Sequence, residues 1–391
     1  MALVANPLLD AVETPPVALV QSWTAGRNFP AERPLLDLAQ AAPGWPMAPD
    51  MAAYVGQKLA EPDIARYAPI LGQPALRQAL ARETTRIYGG QITADHVAIT
   101  SGCNQAFVVA AMALARQGDA MMLTTPWYFN HKMTLDMLGI EAQALPCRAD
   151  AGMIPDAEEA ARLMTARTRA IVLATPNNPT GAAYPPDTLA AFRDLAASRG
   201  IALILDETYR DFLPGSAPPH RLFQDGAWDD ALVQLYSFSK AYAMPGLRVG
   251  AMIAGPAIVA AGQKALDNIA ICAAQPGQAA ALYGLERLAA WRAEKRAEMA
   301  RRLAAFETAM APLQDRFPIL SAGGFFAYCR HPFAADALTI AKRLADEAAI
   351  MAMPGSAFGP GQENMIRFAF GNIAPDAAGA VGERLAALAM D

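Results

Sequence analysis

Six short apolar runs along the middle of the chain, separated by longer stretches of helical periodicity, limit what this sequence can fold into. They are His96–Thr100, Ala120–Thr124, Ala170–Ala174, Ala202–Leu205, Leu232–Tyr236 and Gly250–Ile253. Short runs ended by polar or Gly/Pro signals read as strands buried on both faces. The stretches between them, such as Gln105–Ala115 and Asp187–Ser198, read as helices. Strand alternating with helix predicts an α/β fold with a mostly parallel sheet flanked by helices.

The ends of the chain have a different texture. Residues 1–48 are proline-rich and irregular, with one apolar run at Leu35–Leu38. Beyond about residue 284 a charged stretch, Gly284–Gln314, reads as one helix. Short strands follow around Gly323–Cys329 and Met365–Ala369, then a final helix near Ala374–Ala389. The expectation is a large ligand-binding domain over 49–284 and a smaller α/β domain over 285–391, with segment 1–48 packing onto the latter because it has too little core of its own.

Composition excludes several classes. Across 391 residues, 54% hydrophobic and 18% charged exclude a disordered chain, and a net charge of −5 with no basic run gives no support for nucleic-acid binding. The four cysteines form no CxxC pair, which argues against zinc and against a disulfide framework, and predicts a reducing, cytoplasmic location. The start of the chain has no signal-peptide pattern. The Ala-rich stretch Ile253–Ala281 is interrupted by Pro256, Lys264, Asp267, Asn268 and Pro276, so no membrane span is expected.

The chemistry-bearing residues fall where strands end. Ser237-Phe-Ser239-Lys240 follows one run, and Gly246-Leu-Arg248-Val-Gly250 leads into the next. A lysine beside apolar walls has a lowered pKa and a nucleophilic amine, while the Ser237 hydroxyl and the Arg248 guanidinium suit a phosphate. Asp206 closes another run in Leu-Asp-Glu-Thr-Tyr209. Its carboxylate could pair with a pyridinium nitrogen, and the Tyr209 hydroxyl could reach a ring oxygen. Asn178 lies in the turn Thr175-Pro-Asn-Asn-Pro-Thr-Gly181, Gly102-Cys103-Asn104 open a helix whose free N–H groups suit an anion, and Tyr128 follows Pro126-Trp127. Each has a bland alternative: a solvated strand end, a helix cap, an ordinary turn, a packed aromatic. Their convergence at successive strand ends of one sheet argues for a ligand site.

The ordered set TPNNPTG, LDETY and SFSKAYAMPGLRVG resembles the class I/II aminotransferases, pyridoxal 5′-phosphate (PLP) enzymes of fold type I. The resemblance runs from about Asp37 to the end. It implies that Lys240 holds PLP as a Schiff base and shuttles protons, that Asp206 partners the pyridinium nitrogen, and that Asn178 and Tyr209 bind the ring hydroxyl oxygen. By the same resemblance Tyr128 stacks on the ring, and Gly102, Cys103, Asn104, Ser237, Ser239 and Arg248 hold the phosphate. Tyr67 resembles the tyrosine that reaches the phosphate of the neighbouring subunit, which implies a homodimer with shared active sites. Arg367 resembles the arginine that grips the substrate carboxylate. Ala41 stands where many relatives have a glycine whose backbone contacts that carboxylate, and Asn104 where some aspartate-using relatives have a lysine. The implied activity is transamination (EC 2.6.1.-) in amino acid metabolism, between an L-amino acid with a neutral, aromatic or sulfur-containing side chain and a 2-oxo acid. Trp45 is expected near the entrance, and cis peptides before Pro126 and Pro179. A C–S β-lyase on the same fold is the alternative chemistry. A ligand-sensing regulator is disfavoured because no basic winged-helix segment precedes the fold.

Overall fold

The computed structural model describes residues 3–215 and 217–389. Its larger sheet has seven strands: β2 (Val97–Thr100), β3 (Ala120–Thr125), β4 (Glu141–Pro146), β5 (Thr168–Ala174), β6 (Ala202–Asp206), β7 (Leu232–Ser237) and β8 (Gly250–Ile253). Their order is β2-β8-β7-β6-β5-β3-β4. All six expected runs are strands of this sheet, and five of its strands (β4, β3, β5, β6, β7) run parallel.

Two features depart from the sequence reading. β8 is antiparallel to both neighbours. A parallel return needs a crossover of a dozen or more residues, usually with a helix, and residues 238–249 hold just the one-turn helix Phe238–Ala241 and the short 3-10 turn Pro245–Leu247, so the chain doubles back beside β7. The edge strand β4 was not expected: its sequence EAQALP has no β-branched residue, and only Leu145 is fully buried.

Both faces of the sheet are covered. Ile171, Leu173, Leu203 and Leu205 pack in one cluster with Leu76 and Leu80 of the helix Pro74–Tyr88 and Phe192 of the helix Pro186–Arg199. Val172, Ile204 and Val233 point the other way, onto Phe107 and Val109 of the helix Cys103–Leu114 and Val259 of the helix Pro256–Ala270. The period of two along β5 and β6 assigns each residue to a face.

The second sheet has the order β1-β11-β12-β10-β9: β1 (Leu36–Leu38), β9 (Ile319–Gly323), β10 (Phe326–Arg330), β11 (Ile350–Pro354) and β12 (Met365–Phe368). β1, from the N-terminal segment, pairs in parallel with β11, and the remaining pairs are antiparallel. Residues 3–35 are less irregular than expected, with short helices at Pro7–Asp10 and Pro16–Ser22. The stretch expected as one helix from Gly284 is two, Gln275–Arg287 and Ala289–Met310, joined at Leu288, whose ψ of 25° leaves the helical region. The break lets the first pack on the helices Pro49–Leu59 and Pro74–Tyr88 while the second packs on Ala378–Ala386. Among the described residues no helix is long and apolar enough to cross a membrane.

Candidate active site

A cavity of about 590 Å³ opens at the C-terminal ends of β5, β6 and β7 and is closed on its far side by the loop after β1, by Arg367 of β12 and by Pro15 and Val17. The register of the parallel strands brings Ala174 beside Asp206 and Asp206 beside Leu235, so the segments that follow meet at one edge. Cys103, Asn104, Tyr128, Asn178, Asp206, Tyr209, Ser237, Ser239, Lys240, Arg248, Ala41 and Arg367 all line the cavity.

Two sequence candidates do not line it. Gly102 caps the helix Cys103–Leu114 with φ +89° and lies against the Arg248 guanidinium, which leaves no room for a side chain. Tyr67 is 79% exposed on the outer surface. Trp45, expected at the entrance, is also absent from the lining. Its ring packs on Phe212 and Phe325 with the Arg302 guanidinium 4.7 Å above its face, a site that attracts an aromatic for its area and quadrupole. The peptides before Pro126 and Pro179 are cis, as is that before Pro176.

Lys240 lies in the helix that follows β7. Its Nζ donates to the Ala41 carbonyl. Burial, then the neighbouring Arg367 and Arg248 charges, pull its pKa down to about 8, so far more of the amine is neutral near physiological pH than in an ordinary lysine. Ser237 terminates β7 and caps this helix by accepting from the Ser239 N–H at 3.2 Å.

Asp206 is 7% exposed and held on several sides. Oδ1 accepts from Thr208 Oγ1 (2.7 Å) and the Thr208 N–H (3.0 Å) and lies 3.7 Å from Cys103 Sγ; His131 Nε2 lies 3.3 Å from Oδ2. Burial alone would push its pKa up; His131 and Thr208 outweigh that and hold it below the usual carboxylate range. The Cys103 thiol, by contrast, is pushed up by burial and by the Asp206 charge. Sequence reasoning missed His131 and Thr208. The one available signal was spacing: His131 is three residues after Tyr128, one helical turn on, and its ring stands edge-on to the tyrosine with centroids 5.1 Å apart.

On the opposite wall, Arg367 is 2% exposed. Nη1 donates to Asn178 Oδ1 at 2.8 Å and Nη2 to the Ala39 carbonyl, while Nε is buried without a partner. Burial lowers its pKa to about 10, and the guanidinium lies over the Phe326 and Phe358 rings. Ala41 lies outside the left-handed region, so alanine fits where a glycine might be expected.

Three cations and one carboxylate thus converge on one cavity, with a free buried guanidinium N–H. That donor set fits a ligand bearing a phosphate and a second carrying a carboxylate. A family profile for class I and II aminotransferases matches residues 30–380. The chain belongs to this family. It is a PLP-dependent aminotransferase with the type I fold. Relatives include an arginine–pyruvate transaminase from Pseudomonas aeruginosa, 32% identical over 77% of each chain, and an aromatic aminotransferase from Arabidopsis thaliana, 28% identical over 92% of this chain and 90% of the other. Among solved structures, an aspartate aminotransferase mutant from Thermus thermophilus superposes with a TM-score of 0.89 over 98% of this chain and 99% of the other, at 24% identity.

Proposed function

We propose that this aminotransferase moves the amino group of an L-amino acid with a neutral, aromatic or sulfur-containing side chain to a 2-oxo acid, with 2-oxoglutarate as the usual acceptor. The observation that carries the substrate class is the charge map of the cavity. Among the lining residues only Asp206, Lys240, Arg248 and Arg367 are charged. All four are engaged by the roles below, which leaves Pro15, Val17, Gln40, Ala42 and Asn130 to face the side chain. An uncharged wall favours an uncharged side chain, since an unpaired charge there would be desolvated without compensation.

The contacts support the following roles. Lys240 would hold the cofactor covalently, and its Nζ, pulled toward neutrality, would serve as the base that takes the proton from the substrate Cα. Asp206, kept ionised by His131 and Thr208, holds a proton on the ring nitrogen. Bound, PLP supplies an electron sink for the bond broken at Cα. Asn178 turns its oxygen to Arg367, which leaves Nδ2 free to donate, so Asn178 and Tyr209 would hold the ring hydroxyl oxygen and Tyr128 would stack on the ring. Ser237, Ser239, Arg248 and the helix start at Gly102–Asn104 hold the phosphate, and Arg367 with the Ala41 backbone receives the substrate carboxylate.

Arg248 and Tyr67 are exposed in the single chain. We read this as the face that a second copy covers in a homodimer, each Tyr67 completing the partner's phosphate site. We assign the larger sheet to a large domain over 49–284 and the smaller one to a small domain built from 1–48 and 285–391, whose first two and last two residues lie outside the described ones. A cytoplasmic location belongs to the same reading.

An absorbance titration of the PLP-loaded protein with a panel of L-amino acids tests this. A neutral or aromatic donor should convert the cofactor band to that of the aminated form and release one 2-oxo acid. Conversion by aspartate or arginine alone would overturn the substrate class. Pyruvate and ammonia accumulating under an unchanged band would mark a β-lyase.

A further inference from the structure

The loop after β1 lies over both cations of the substrate side: the Ala41 carbonyl accepts from Lys240 and the Ala39 carbonyl from Arg367. Within the loop, Asp37 Oδ1 accepts from the Ala39 N–H at 2.9 Å. Further fixation comes from Asn372, in the turn Phe370–Asn372 that follows β12, beside the Ala369 N–H that donates to the Leu38 carbonyl at 2.8 Å. Asn372 Oδ1 accepts from the Ala42 N–H at 3.0 Å, and Nδ2 donates to the Asp37 carbonyl at 3.0 Å and the Gln40 carbonyl at 2.5 Å. Both amide hydrogens and the amide oxygen are therefore spent on one short stretch of backbone more than 300 residues away in sequence. Asparagine alone supplies two donors and an acceptor at this length: aspartate has no donors, and glutamine is longer by a methylene. Asn372 does not line the cavity.

We propose that Asn372 is a positioning residue for the substrate carboxylate. It fixes the backbone of 37–42 relative to Arg367, five residues upstream on the same strand-and-turn unit, so that arginine and loop form one preorganised carboxylate site. Arg302 extends the clamp: Nη1 donates to the Gly371 carbonyl at 2.8 Å, Nη2 reaches the Gly44 carbonyl at 3.4 Å, and the Gly44 N–H donates to Gly371 at 3.3 Å.

The inference rests on the reading of Arg367 as the carboxylate grip, and the experiment separates the two. Acetate and 3-phenylpropionate are titrated into PLP-loaded wild type, Asn372→Ala, Asn372→Asp and Arg367→Lys, with binding read from the cofactor absorbance. KM and kcat are measured in parallel, with thermal midpoints as the control for folding. Asn372→Ala should weaken both carboxylates and raise the amino acid KM by roughly tenfold while kcat changes less than about threefold. Asn372→Asp keeps the shape and loses the two donors, so it should behave like the alanine variant. It also carries the test if Asn372→Ala does not fold. Carboxylate binding restored by Asn372→Asp, or a lowered thermal midpoint with binding intact, would reduce Asn372 to a packing residue and overturn the inference. Weakened binding in Arg367→Lys with none in Asn372→Ala would overturn it alone. Unchanged binding in Arg367→Lys would overturn the carboxylate reading and the inference with it.

Discussion

Asp206 and Glu207 are neighbours in sequence and both are buried, yet they serve two different regions of the molecule. Asp206 shares the β6 face of Ile204 and opens into the cavity, where Thr208, Cys103 and His131 surround it. Glu207 lies on the face of Leu205, in a polar cluster sealed inside the core. Its Oε2 accepts from Tyr88 Oη (2.8 Å) and Gln234 and lies 3.3 Å from His220 Nε2, while Arg210 reaches Tyr88 Oη at 3.3 Å and stacks 4.0 Å over Tyr236. Both carboxyls are pulled below their ordinary pKa against the upward push of burial, each by a histidine and by hydrogen-bond donors. The difference is access. The first acid keeps a side open for a ligand; the second has protein on every side. The same electrostatic signature therefore marks a working group in one place and a structural one in the other.

Substitution should split the pair by readout. Asp206→Ala is expected to lower kcat by about a thousandfold or more while the thermal midpoint of the apo protein moves by only a few degrees, because the cavity can hydrate the space left behind. Glu207→Ala should do the reverse. It leaves the buried Tyr88, Gln234 and His220 without their acceptor and takes from Arg210 one of two neighbouring anions, and should cost roughly 3–5 kcal/mol of unfolding free energy, with kcat per folded molecule nearly intact. Paired denaturation curves and active-site-normalised kinetics decide. Equal kinetic losses in both variants would mean that the sealed cluster takes part in the chemistry.

The sequence showed one side of this contrast more clearly than the other. Lys240, Asp206, Asn178 and Arg248 sit in local motifs at strand ends, where a strand's last residue must meet the crevice, so their approximate place follows from the strand pattern. That Asp206 and not Glu207 faces the cavity depends on the register of β6 against its neighbours, a one-residue matter that only long-range pairing settles. Of the partners of Asp206, Thr208 is local, but Cys103 and His131 arrive from helices that no local pattern ties to β6. The substrate wall is harder still: Arg367, the loop 37–42 and Val17 come from opposite ends of the chain. Trp45 failed for the same reason, since its aromatic character indicated burial somewhere but not against Phe212 and Phe325.

The two histidines sharpen the comparison on a smaller scale. His131 helps hold Asp206 ionised, so its removal should raise the pKa of that carboxyl. A depressed carboxyl supports activity above its pKa and loses it as pH falls, so His131→Asn should move the acid limb of the kcat–pH profile to higher pH by about one unit. His220→Asn removes the matching partner of Glu207. It should leave that limb in place and cost about 1–2 kcal/mol of stability instead. A shifted limb in His220→Asn would show that the two clusters are coupled through β6.

The buried cations repeat the contrast and give the smallest effect. Burial pulls both Arg210 and Lys240 toward neutrality. In the sealed cluster Tyr88, Tyr236, Asp211 and Glu207 overcome it and Arg210 is held charged well above its ordinary value. In the cavity Arg367 and Arg248 reinforce it, and Lys240 falls to about 8. Only a neutral amine attacks a carbonyl. The rate at which the apo protein captures PLP should therefore rise with pH, with a midpoint near 8, and level off above it. Between pH 9 and pH 7 the expected fall is about tenfold, whereas a lysine at its ordinary value would still be gaining rate at pH 9. Arg367→Leu removes the larger of the two repelling charges and should carry the midpoint upward, toward the free-lysine value. A midpoint that stays put in that variant would take Arg367 out of the depression and leave it to burial and Arg248.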